Sequence, residues 1–158
     1  MNPARKLNNE KNSAFAVGVL CVATIDFLAR IETGSDKVKE RFGEWIKNNI
    51  EKFNKRDPDN VSQTLAQRFY DEFRNGLVHE GRIKNAGQFS YDCNELVDTI
   101  KASGAGTVMR INPDCLLGAI AVAIERYLCR LRAEKFVFEV FKCALIRDFG
   151  RDYEYASK

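Results

Sequence analysis

The only histidine in the chain, His79, lies in the stretch Gln67 to Asn85, which reads Gln-Arg-Phe-Tyr-Asp-Glu-Phe-Arg-Asn-Gly-Leu-Val-His-Glu-Gly-Arg-Ile-Lys-Asn. Arg74 precedes it, Asn75 follows the arginine directly, and Arg82 and Lys84 come just after. An imidazole can move protons, a guanidinium can clamp a phosphate through two parallel N–H donors, and an amide can orient the imidazole from one turn away. Arg82 and Lys84 would add positive charge for a phosphate backbone. A plainer reading fits the same residues: His79 caps a helix, Arg74 pairs on the surface with a neighbour such as Asp71, and Arg82 and Lys84 are solvated loop charges.

Positioning these groups requires a helix. Val61, Leu65, Phe69, Phe73 and Leu77 recur at every fourth position, with Ala66 and Tyr70 beside them, so one side faces a core. Asp71, Asn75 and His79 form a second ladder on the far side, and Asn60 or Ser62 is the expected N-cap. Gly81 is a natural left-handed terminator and puts His79 in the last turn, where the negative end of the helix dipole favours a cationic side chain, one that could sit beside a phosphate. On an ideal α-helix five residues subtend about 140°, so Arg74 and His79 point apart unless the arginine bends round or the helix distorts at Gly76. Asn75 and Gly76 are both poor helix formers, and such local conflicts tend to mark function.

The rest of the chain reads as further helices. From Ser13 the run Ala14 to Ile25 is almost wholly apolar, and Asp26 and Arg30 continue its helical pattern; a signal peptide or membrane span competes, but the run is short and Glu10 precedes it. After a turn at Glu32 to Asp36, with Ser35 or Asp36 as N-cap, Val38, Phe42, Trp45, Ile46, Ile50 and Phe53 line a second helix that Pro58 stops. Between residues 82 and 111 periodicity is lost; Gln88 to Tyr91 and Thr107 to Ile111 suggest a small β appendage. Asn112-Pro113-Asp114 then opens a helix carrying Leu116, Ile120, Ile124 and Tyr127, and the apolar pattern resumes at Phe136, as one kinked helix or two. Residues 1–10 are expected to be flexible and 151–158 a tail.

At 158 residues the chain is the size of one domain, and 45% apolar with 30% charged residues excludes a disordered class. The net charge of +3 permits a basic patch without announcing one. Cys21, Cys93, Cys115, Cys129 and Cys143 are widely spaced, with no Cys-x-x-Cys pair, and read as reduced core residues of a cytoplasmic protein. With one histidine and no clustered cysteines, neither a metal nor a cofactor is expected, which directs hydrolytic chemistry to a metal-free route. The expected fold is an all-α single domain, a bundle of about five helices.

The segment Arg74-Asn75-Gly76-Leu77-Val78-His79 fits an Arg-x-x-x-x-His pattern with a polar residue after the arginine. In this the chain resembles the HEPN family, helical nucleotide-binding and ribonuclease domains in which such a motif closes a third helix. The resemblance covers most of the chain in architecture, while its specific part is the motif. It implies metal-independent cleavage of RNA by 2′-hydroxyl attack, with Arg74, Asn75 and His79 as catalytic residues and Arg82 and Lys84 as RNA contacts. It further implies a homodimer, a role as a bacterial toxin or defence component, and a nucleotidyltransferase antitoxin as a partner. The alternative it leaves open is a non-catalytic module that binds RNA, nucleotide or protein. Where one subgroup has a tyrosine two residues after the histidine this chain has Gly81, so regulation through that tyrosine is not implied.

Overall fold

The computed structural model describes residues 13–104 and 106–156, apart from the side chains of Tyr153 and Ala156; the expected flexible start, 1–10, lies outside the described residues. Helix α1, Ala14–Thr33, buries Val17, Cys21, Ile25, Leu28 and Ala29, and ends at left-handed Gly34, whose N–H donates to the Arg30 carbonyl. Its opposite side is apolar too, with Phe15, Leu20 and Phe27 about half exposed. A helix apolar all round is one that needs cover on every side. By length and composition alone α1 could cross a membrane, with a mean hydropathy of 2.0 over its most apolar window, 44% of which is buried inside the fold. Its three charges work within the bundle: Asp26 meets Arg41 and Arg74, Arg30 grips Asp148 through two hydrogen bonds of 2.6 and 2.7 Å, and Glu32 accepts from Trp45 and Arg130.

Helix α2, Val38–Asn49, turns Phe42, Trp45 and Ile46 inward. It stops well before Pro58, because Ile50 adopts an extended conformation and a 3-10 turn, Glu51–Asn54, then carries Phe53 into the core. Ser35 does not cap α2 directly; its Oγ accepts from the Lys37 N–H one position before the helix.

Helix α3 begins at Leu65–Phe69 and continues without a gap through two π-helical stretches, Tyr70–Arg74 and Gly76–Glu80. Its N-cap is Thr64, not Asn60 or Ser62, since Thr64 and Gln67 close a reciprocal capping box. The Asn60 side chain is spent on Ser62, whose N–H and Oγ both donate to it. Val61 therefore precedes the helix and is 75% exposed, so the apolar ladder starts at Leu65. Phe42, Phe53 and Phe73 surround Phe69 with ring centroids 4.9–6.0 Å away, and Phe89 meets Phe73 edge-on at 5.0 Å.

The appendage expected between 82 and 111 is a three-stranded sheet in the order β1-β3-β2. Strand β1, Gln88–Phe89, runs parallel to β3, Thr107–Ile111, with Phe89 opposite Ile111; β2, Val97–Lys101, runs antiparallel to β3, with Val97 opposite Ile111. Helix α4, Pro113–Ala133, starts as the sequence predicts, the Asn112 side chain accepting from the N–H groups of Asp114 and Cys115. Extended Glu134 separates it from α5, Lys135–Ala156, so the C-terminal apolar pattern is two helices; α5 kinks at Phe149, whose backbone is non-helical, and the expected tail is helical beyond it as far as Ala156. The described chain is thus mostly helical, five helices around one core, with a small sheet rather than purely α. All five cysteines are unpaired, but only Cys21 and Cys93 are buried; Cys115, Cys129 and Cys143 are exposed and not core residues.

Candidate functional site

The motif segment departs from α-helical winding, and its neighbours explain why. The Glu72 carbonyl accepts from the Lys84 N–H at 3.0 Å, and the Gly76 carbonyl accepts from the Arg82 N–H. The loop after the helix therefore competes for the helix's own acceptors. Two i→i+5 bonds take over: the Asn75 N–H reaches the Tyr70 carbonyl and the Gly81 N–H reaches that of Gly76. Such wide turns are rare and recur at functional sites. Bonding five residues apart also brings positions i and i+5 nearer the same side, which reduces the offset an ideal helix imposes on Arg74 and His79. Gly76 is what allows it, since a β-carbon there would collide with the Arg82 carbonyl oxygen and crowd the Lys84 backbone. Gly81 ends the segment with a φ of 65°, as the sequence predicts.

Arg74 points to α1. Its Nε and Nη2 donate to one oxygen of Asp26 at 3.1 and 2.7 Å, and its guanidinium lies 5.9 Å from the centre of the Tyr70 ring. The other Asp26 oxygen accepts from buried Arg41 at 2.9 Å. Two guanidiniums thus share one carboxylate and leave an excess positive charge beside the motif. Asp71, offered above as a surface partner for Arg74, pairs with Lys39 instead.

His79 is exposed and Asn75 half-buried, and neither side chain has a hydrogen-bond partner among the described residues. Arg82 and Lys84 come together, but on an acid: the two oxygens of Glu80 take them at 2.7 and 2.8 Å. The Lys84 ammonium, with Arg82 behind it, holds the Glu80 carboxyl below the usual carboxylate range. Their two charges are accordingly half-neutralised by Glu80. Arg82 also lines a shallow cleft with Phe15 of α1 and Phe89, which makes the outward apolar side of α1 continuous with the motif loop.

The most heavily bonded group on this helix is one the sequence reading passed over. Arg68 is buried, and its guanidinium donates to Glu72, Asp57, Asp59 and both the hydroxyl and the carbonyl of Thr107 at 2.6–3.2 Å. It staples the loop before α3, the helix and β3 together. Burial pushes the Glu72 carboxyl up against the pull of Asn85 and Arg68, while the Thr107 backbone N–H and hydroxyl hold Asp59 down. The signal was present: Arg68 and Glu72 stand four apart, next to Leu65 and Phe69 on the buried side. Nearby, Asn85 and Ala86 hold φ of 51° and 58°, a left-handed pair that costs alanine roughly 1 kcal/mol.

No family model, no curated protein and no solved structure matches the chain.

Proposed function

We propose that this chain is a HEPN-like, metal-independent endoribonuclease of the cytoplasm, acting as a bacterial toxin or defence component. The observation that carries the reading is the wide-wound motif segment, which carries an exposed His79, a half-buried, unpartnered Asn75 and Arg74, whose guanidinium shares a single carboxylate with Arg41. In the reaction the RNA 2′-oxygen attacks the adjacent phosphorus, the bond to the 5′-oxygen breaks, and a 2′,3′-cyclic phosphate forms. One group takes the 2′-hydroxyl proton, another protonates the leaving 5′-oxygen, and positive charge steadies the phosphoryl oxygens. His79 serves in proton transfer, Arg74 clamps the phosphate, Asn75 orients the imidazole, and Arg82 and Lys84 follow the RNA backbone.

One histidine cannot be both acid and base in one step, so the active species is a homodimer whose two-fold axis duplicates His79. The outward apolar side of α1, continuous through Phe15 with the motif loop, is the surface a second copy would cover. A second reading, a non-catalytic module that binds RNA, nucleotide or a partner such as a nucleotidyltransferase antitoxin, is favoured by the pairing of Arg74 with Asp26 and of Arg82 and Lys84 with Glu80.

The deciding experiment incubates purified protein with mixed RNA in EDTA and analyses product ends. Cyclic phosphates support the nuclease; a magnesium requirement or only 5′-phosphate ends would end it. Mixing wild-type with His79→Ala subunits then tests the dimer, since a shared cleft makes activity follow the square of the wild-type fraction and independent sites give a straight line.

A further inference from the structure

Around Arg68 the structure holds a second polar site, separate from the Arg74 to His79 motif. A cleft of about 400 Å³ opens there, and its charged lining consists of Asp57, Asp59, Glu72 and Arg68, three acids against one base. Asn60, Gln63, Asn85 and Thr107 complete the polar wall.

Within this cluster the hydrogen bonding closes at every buried side-chain atom but one. Both Asp57 oxygens accept, Oδ1 from Arg68 and the Asp59 N–H and Oδ2 from Gln63. Glu72 Oε1 accepts from Arg68 Nε at 2.8 Å and from the Asn85 amide at 3.2 Å. Glu72 Oε2 accepts from nothing, although the side chain is only 5% exposed and lines the cleft. A buried carboxylate oxygen without a donor is costly, and a group that supplies one gains what the fold leaves unmade.

We propose that this cleft binds a small organic cation, a guanidinium or primary ammonium compound, toward which the buried Glu72 carboxyl turns so that Oε2 accepts its N–H. Three features of the lining select that chemistry. With two formal negative charges in excess, the cleft repels anions and nucleic-acid phosphates. Among the described residues no group of three or more acid, histidine or cysteine side chains is arranged to hold a metal ion, because Arg68 already stands between the carboxylates. A charged N–H donor meets a carboxylate with a stronger hydrogen bond than a neutral one. The raised proton affinity that burial gives Glu72 fits a site that is relieved by an incoming positive charge. The inference does not rest on RNA cleavage.

The test uses agmatine as probe and inorganic phosphate as control, with binding to the full chain followed by calorimetry and by chemical shifts of Asn85 and Thr107. Agmatine is expected to bind saturably and phosphate not at all. Glu72→Gln should weaken agmatine about tenfold or more, the loss that follows removal of one charge-assisted hydrogen bond. Because Glu72→Gln also unbalances Arg68 and can unfold the protein, Ala102→Arg provides a second arm: Ala102 is exposed at the rim, and an arginine there places a tethered guanidinium in the cleft. Loss of agmatine binding in folded Ala102→Arg supports the site. No saturable binding, binding that survives Ala102→Arg, or a preference for phosphate would overturn it.

Discussion

Arg68 and Arg74 stand on the same helix, yet they lead opposite lives. Arg68 is buried, its donors reach three carboxylates and a strand, and nothing about it is free to change partners. Arg74 makes one ion pair, to a carboxylate that already has Arg41, and it lies five residues before an exposed histidine. Residue type does not tell these two arginines apart; what does is how much of the fold is left unsatisfied when the side chain lets go.

Removing each arginine puts that contrast to its hardest test. Arg68→Ala strands Asp57 and Glu72 in the interior and is expected to cost about 3–5 kcal/mol, the range for breaking a buried ion pair. Arg74→Ala leaves Asp26 with Arg41 and should cost less, about 1.5–3 kcal/mol, the range for a hydrogen bond to a charged group. Urea unfolding of the two variants side by side decides it, and equal losses would erase the distinction. For activity the order reverses: Arg74→Ala and His79→Ala should each lower RNA cleavage by about 100-fold or more in a protein that stays folded, with Asn75→Ala milder. Near wild-type cleavage by folded His79→Ala would return the motif to the plainer reading.

A smaller effect is expected at Gly76, where the two halves of the helix meet. Gly76→Ala forces the 82–84 loop off the helix, so a loss of about 2 kcal/mol in thermal unfolding should accompany a return to α-helical bonding, visible as the Gly76 to Glu80 amides regaining i→i+4 partners. The smallest is at Glu80. Its carboxyl is held below the usual range by Lys84, so the folded chain binds that proton less readily than the unfolded chain does. The loop's tether is therefore complete above the ordinary glutamate value of about 4.3 and fades as pH falls through the lower folded value. A carboxyl-carbon NMR titration should show the Glu80 midpoint move upward in Lys84→Met; an unmoved midpoint would mean the ion pair does not form in solution.

What the sequence made legible was whatever depends on local chemistry. Asn112-Pro113 opens α4 and Gly81 closes the motif helix because capping acts over three or four residues. The start of α3 was misplaced by a choice among good caps: Asn60, Ser62 and Thr64 all qualify, and only Gln67 three residues beyond Thr64 breaks the tie. Strand β2 escaped notice because Val97-Asp98-Thr99-Ile100-Lys101 does not alternate, its place being set by pairing with Thr107 to Ile111. A distortion at Gly76 was open from its poor helix propensity, but the wide winding itself was not legible, since amides of Arg82 and Lys84 arrive from outside the helix. The Arg68 cluster lies between these cases, for its helical pair is local but Asp57 and Thr107 reach it from elsewhere.

The pairing of α1 with α5 has a consequence for synthesis. Arg30 and Asp148, whose hydrogen bonds join these helices, are 118 residues apart, and Tyr127 of α4 reaches the Ile31 carbonyl over 96. At typical elongation rates α1 leaves the ribosome roughly ten seconds before the helix that meets its C-terminal end. Through that interval an apolar helix of 20 residues is without its late-made neighbours, and long-range contacts of this kind slow folding. Nascent chains stalled within α4 should therefore be held by chaperones, and release should follow once Asp148 has emerged.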